Sequence, residues 1–235
     1  MFKIIATLFS SLTFLTAYGQ TEIQELKFKL LYNYACFDFN YEMTLPLFNA
    51  TNANDVRENV NDSIQIIYNS IVSEIPVPSF TDHNDCPTMY IGTQERNLFY
   101  SIILNTDTFL SAAIYDSRTA GNGGHGGSTN LYCFNIDLLN NELLTIDSLF
   151  NPRNKEKVLK LVETKFDNTQ NLTYNNYIGN IWLLGINISD KNFIVHYNVY
   201  NGDSVYLQKD IELPLTDIQK LINKKYLRLC GTIKK

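Results

Sequence analysis

Nowhere in this 235-residue chain do more than two Lys or Arg stand together. A nucleic-acid binder needs a basic footprint that displaces counterions from phosphate, and a formal charge of −5 with a pI near 5.2 offers none, so nucleic acid is excluded as a partner. Histidine is scarce, at three, and the lone His-x-x-Cys from His83 to Cys86 lacks the second pair a zinc site usually brings. No metal and no cofactor is expected. Also missing are the Gly-Lys-Ser/Thr that closes a phosphate loop, the Gly-x-Ser-x-Gly of a nucleophile elbow and the His-Glu-x-x-His of a zinc protease. Only one apolar run is long, Ile4 to Ala17. It falls short of the roughly 20 residues a membrane span needs, and Ser10, Ser11, Thr13 and Thr16 thin it further.

That run has a meaning of its own. Met1-Phe2-Lys3 is a short positive start, and Ala17-Tyr18-Gly19 puts small residues where a signal peptidase accepts them, ahead of Gln20. We expect residues 1–19 to be a signal peptide and the protein to be exported, periplasmic or secreted, with no membrane span after cleavage. Removing 19 of 235 residues leaves 216, and the loss of Lys3 takes the charge from −5 to −6. Cys36, Cys86, Cys133 and Cys230 all follow the leader. An even count in an oxidising compartment points to at least one disulfide, with three connectivities open if all four are paired.

Hydrophobic residues at 45% place the chain in the ordinary globular class. Alternation predicts strands over Glu22–Tyr32, Cys36–Leu45, Leu98–Leu104, Phe109–Asp116, Leu131–Leu138, Trp182–Ile188, Phe193–Tyr200 and Val205–Leu213. In the strand at 131–138, Phe134 and Ile136 are expected inside, with Asn135 and Asp137 outside. Val56, Val60, Ile64, Ile67 and Ile71 recur at helical spacing. Asp55 precedes them as the cap, and Glu58 stands three residues later, where it could reach back. Asn151-Pro152 opens a second helix with Val158, Leu159, Val162 and Phe166 on its apolar face, and a short third helix follows Pro214. The pattern predicts an α+β fold of antiparallel sheet with about three helices packed on one face. We divide it into an N-terminal strand–helix part over 20–95 and a sheet–helix part over 96–235.

The most distinctive stretch lies between two predicted strands. Residues 121–127 hold five glycines, and Gly123, Gly124, His125, Gly126, Gly127 and Ser128 read as a ligand-contact loop. Its backbone can approach a partner closely, and His125 is its one titrating side chain. Tyr174, Tyr177 and Trp182, in an Asn-rich segment, form a possible second contact region suited to stacking on sugar.

Gly123-Gly124-His125, Asn135-Ile136-Asp137-Leu138 and Ile146-Asp147-Ser148-Leu149-Phe150 resemble the motifs of a bacterial exported domain family. Phe193 to Gly202 and Ile211-Glu212-Leu213-Pro214-Leu215 are similar to its closing strands and final helix, and Tyr41 to Ile75 to the smaller part that precedes them. The family includes the extracellular portion of the lysozyme-sensing anti-sigma factor RsiV and accompanies some exported peptidoglycan deacetylases. The resemblance implies a ligand-binding or sensing module of the envelope whose partner is a protein, such as lysozyme, or a cell-wall glycan.

A cell-wall hydrolase or accessory domain using His125 is the alternative. Its candidate groups are His125 with Ser128, Asp116 and Asp137 on flanking strands, and His196. The bland reading of His196 and Asp137 is structural. His196 sits on the polar side of a strand, Asp137 satisfies a strand end and Asp147 a helix cap, while Glu58 and Glu142 are solvated.

Overall fold

The computed structural model describes residues 5–7, 21–34, 37–74, 92–120, 127–170, 181–200 and 206–230. In chain order the strands and helices are β1 (Ile5–Thr7), β2 (Ile23–Tyr34), β3 (Phe37–Phe48), α1 (Val56–Ser73), β4 (Gly92–Asn105), β5 (Phe109–Ala120), β6 (Gly127–Asp137) and β7 (Glu142–Leu143). They continue as α2 (Ile146–Leu149), α3 (Pro152–Gln170), β8 (Ile181–Ile188), β9 (Asn192–Tyr200), β10 (Tyr206–Pro214), α4 (Leu215–Ile218) and a 3-10 helix, Lys224–Cys230. Strands β1 to β7 form one sheet in sequence order, and β8 to β10 form a second with β9 in the middle. The class is α+β, as expected. The β3–β4 pair departs from the antiparallel pattern: these strands run parallel, from Phe37 opposite Gly92 to Met43 opposite Leu98. A parallel neighbour requires a crossover, and α1 lies in that connection.

The chain forms two compact units. One comprises Met1–Tyr100 and Ile114–Asn130, the other Ser101–Ala113 and Leu131–Lys235, so β4, β5 and β6 each give a segment to both.

In the first unit all five periodic residues of α1, Val56, Val60, Ile64, Ile67 and Ile71, are buried, as are Tyr41, Met43, Leu45 and Phe48 of β3. Burying each such aliphatic side chain is worth about 1.5–3 kcal/mol. Polar contacts fix the register of helix on strand. Asn61 accepts from the Phe48 N–H at 3.0 Å and donates to its C=O at 2.9 Å, continuing the backbone pattern where β3 ends. Asp55 caps α1 by accepting from the Arg57 N–H, and Thr51 donates to it from both backbone and hydroxyl, each at 3.0 Å. The side chain that returns to the cap is that of Arg57, not Glu58: its guanidinium closes on the Asp55 carboxylate, while Glu58 stays exposed.

In the second unit Phe193, Val195 and Tyr197 alternate inward along β9 and meet Val158 and Phe166 of α3 and Ile218 of α4 in one core. Two edge-to-face ring pairs lie within it, Phe150–Phe193 at 5.4 Å and Phe166–Tyr197 at 5.3 Å. Asn151 caps α3 by accepting from the Asn154 N–H, with Pro152 at the first helical position as its sequence implies. The cap of α2 is Thr145, in a reciprocal box with Ser148. Asp147, expected as a cap, instead pairs with Lys155 at 2.6 Å.

The expectation for β6 fails on one face. Phe134 and Ile136 are buried, but so are Asn135 and Asp137, at 1% and 0% exposure. Alternation separates the two faces of a strand without saying which is wet, and the Asn135 side chain reaches the backbone of β8.

Candidate functional site

Strand β5 ends at Ala120 and β6 resumes at Gly127, so the connection that carries the glycines is residues 121–126. Gly127 and Ser128 open β6. Gly123, Gly124, His125 and Gly126 lie outside the described residues, as do Tyr174 and Tyr177, and Trp182 belongs to β8, opposite Asn198. What the structure describes in detail is the strands that flank the first of these segments and the polar networks between strands.

At the base of the β5–β6 connection the central group is Asp116, fully buried. Arg96 of β4 reaches it with Nε on Oδ1 at 2.7 Å and a terminal N–H on Oδ2 at 2.8 Å, a bidentate fork. Asn130 of β6 adds a bond at 3.3 Å. The other end of the Arg96 guanidinium donates to Glu74, just past α1, at 2.7 Å, and Arg118 reaches the same carboxylate at 2.9 Å. Two guanidiniums thus meet two carboxylates. Burial alone would raise the pKa of Asp116, but the Arg96 bonds and charge, with Asn130 and Arg118 behind them, hold it below the ordinary carboxylate range. Asp116 is a fixed anion near neutral pH and cannot serve as an acid.

The second buried network runs between β5, β6, β8 and β9. Ser111 donates to Asn135 Oδ1 at 2.8 Å and accepts from Asn187 Nδ2 at 2.9 Å and from the Ile188 N–H at 3.2 Å. Asn187 Nδ2 also donates to the Ala112 C=O at 3.0 Å, which turns Asn187 Oδ1 toward His196 Nε2 at 2.9 Å. The other ring nitrogen, Nδ1, lies 2.7 Å from Asp210. The inventory superficially matches a serine–histidine–aspartate triad, but Asn187 stands between serine and histidine, and the Ser111 proton is already committed to Asn135. Ser111, Asn135, Asn187 and His196 are all at most 2% exposed. This is a polar joint, satisfied group by group, and His196 is the structural histidine its alternation suggested.

Asp137 has the strand-end role expected of it. It accepts from the backbone of Leu139 and Asn140, from the Asn140 side chain, and from Arg228. Burial would raise its pKa, and the Arg228 and Asn140 bonds outweigh that and hold it low. Glu142, read as solvated, is half-buried and bonded to Lys225 and Tyr226. Cys133 is a free thiol, pushed up to about 12 by burial and the Asp210 charge. Among the described residues no group of three or more His, Cys, Asp or Glu could hold a metal, and no helix is long and apolar enough to cross a membrane.

Sequence reasoning singled out Asp116, Asp137 and His196 but not their partners Arg96, Glu74, Arg228 and Asn187. An arginine in mid-strand between exposed Glu95 and Asn97 reads as surface. The usable signal was Leu98, two residues on, which shares its buried face.

No protein-family model matches the chain, and no curated protein resembles it in sequence. Solved structures match it in fold. A DUF3298-family protein of Bacteroides fragilis NCTC 9343 superposes with a TM-score of 0.62 at 12% identity, covering 90% of this chain and 98% of its own. A second DUF3298-family protein, from Pseudomonas aeruginosa PAO1, gives 0.55 at 9% identity, covering 87% and 95%. At these identities what is shared is the fold.

Proposed function

We propose that the protein is a non-catalytic binding module of the bacterial envelope, exported after loss of residues 1–19, that offers the Gly123–Ser128 loop to a cationic protein such as lysozyme. The structural neighbours are DUF3298 proteins, the family to which the extracellular domain of RsiV belongs. The observation that carries the reading is the buried Arg96–Asp116 fork beneath the loop, four residues before β5 ends. A hairpin pinned at its base holds the ends of its connection in place, and the entropy lost on binding is then confined to the loop itself. A net charge of −6 after loss of residues 1–19 favours a basic partner by long-range attraction. The buried acids and His196 are committed to fixed partners, which favours binding over hydrolysis.

The test sets the exported protein against lysozyme as the cationic probe and against purified sacculi as the glycan probe. The proposal expects saturable lysozyme binding that weakens as salt rises from about 50 mM to about 300 mM. Binding to sacculi alone would move the partner to the glycan class. Digestion of sacculi that disappears in His125→Ala would establish the hydrolase alternative and overturn the proposal.

A further inference from the structure

The second unit holds a cavity of about 660 Å³, within the size range of small-molecule sites. It opens where several turns gather: the β4–β5 turn, the β8–β9 turn, the β10–α4 junction and the C-terminal 3-10 helix. Leu104, Phe109, Pro214 and Leu229 give it an apolar wall. The charged groups of its lining are Arg228, Lys191 and Asp190, with Asp137 behind Arg228 as the guanidinium's buried partner.

Arg228 is the group with direction. One terminal nitrogen donates to the Lys225 C=O at 2.8 Å and the other to Asp137, so the guanidinium is held at the cavity with N–H groups to spare. Asp137 already accepts from two backbone amides and the Asn140 side chain, so its charge is not left to Arg228 alone. Asp137 is fully buried, whereas the Arg228 side chain remains 33% exposed. A held, partly open guanidinium beside an apolar wall is suited to a carboxylate with a hydrophobic body.

We propose that this cavity binds a small organic acid, with its carboxylate on Arg228, assisted by Lys191, and its apolar body against Phe109 and Leu229. The lining includes none of the glycine-rich residues, and nothing in the loop reading depends on it. The Thr108 and Thr216 side chains line the same space and report on its occupation.

The experiment is an NMR titration of the full exported chain with indoleacetate, and with indoleacetamide as the uncharged match. Saturable shifts are expected at the amides of Thr108, Lys191, Thr216 and Leu229, with the amide ligand weaker by about tenfold or more, the loss of one charge-assisted hydrogen bond. Arg228→Lys keeps a cation for Asp137 and should weaken the acid by a similar factor. Thr216→Trp, at an exposed position, should abolish binding by filling the space, and it keeps the test decisive if Arg228→Lys fails to fold. No saturable shift, shifts elsewhere on the chain, equal binding of acid and amide, or binding undisturbed by Thr216→Trp would overturn the proposal.

Discussion

Arg96 and Asp116 lie 20 residues apart in sequence and meet through two parallel bonds of 2.7 and 2.8 Å, with the carboxylate wholly buried. Removing one partner strands the other's charge. Asp116→Ala should therefore cost about 3–5 kcal/mol in urea unfolding, whereas the double change Arg96→Met with Asp116→Leu should cost clearly less than the two single changes added together. Additive losses would mean that the fork contributes little as a unit.

Acid should weaken the fold through the same chemistry. Asp55, Asp116 and Asp137 all have folded pKa values below their ordinary 3.8, so at low pH the unfolded chain binds more protons than the native one. Their contribution is complete above that value and lost as pH falls through the folded pKa values. Thermal melts from neutral pH downward should show stability falling steeply below about pH 4, and Asp137→Asn should flatten that limb. An unchanged slope in Asp137→Asn would count against Asp137 as a contributor.

Gly185 packs so tightly on Cys133 that an added Cβ would sit 2.6 Å from its sulfur and 3.0 Å from its Cβ. Gly185→Ala should destabilise by about 1–3 kcal/mol, and Cys133→Ala should recover part of that. The elevated thiol pKa makes Cys133 slow to react. Iodoacetamide at pH 8 should label it at least about a hundredfold faster in denaturant than in the native protein. Cys133 should stay out of any disulfide the protein forms, and peptide mapping that finds Cys133 bridged would contradict this.

Asn187 divides Ser111 from His196, so its loss separates a structural network from a latent catalytic one. Asn187→Ala should lower stability by about 1–3 kcal/mol per buried group left unpaired and create no esterase activity. Turnover of an activated ester that is lost again in Ser111→Ala would show that the three residues can act as a triad.

Much of this architecture is legible residue by residue. Helical spacing identifies all five buried positions of α1, and alternation identifies the strand over Phe193–Tyr200, whose core face is Phe193, Val195 and Tyr197. The parallel pairing of β3 with β4 is not legible, because a crossover leaves no local register signal of the kind a tight turn provides. The burial of Asn135 and Asp137 is hidden for a related reason: their partners Ile186 and Arg228 are 51 and 91 residues away. The candidate loop stands out by composition alone, whereas the arginine fork under it depends on tertiary pairing.

The central claim is that the loop binds while the hairpin beneath it only holds. The most direct measurement replaces residues 120–127 with a two-residue Asn-Gly turn and compares lysozyme affinity and melting temperature with those of the intact protein. The account predicts that affinity falls by about a hundredfold or more, roughly the loss of one hot spot, while the melting temperature stays within a few degrees, because Arg96, Asp116 and Asn130 remain in place. Undiminished affinity in a folded, shortened protein would contradict it.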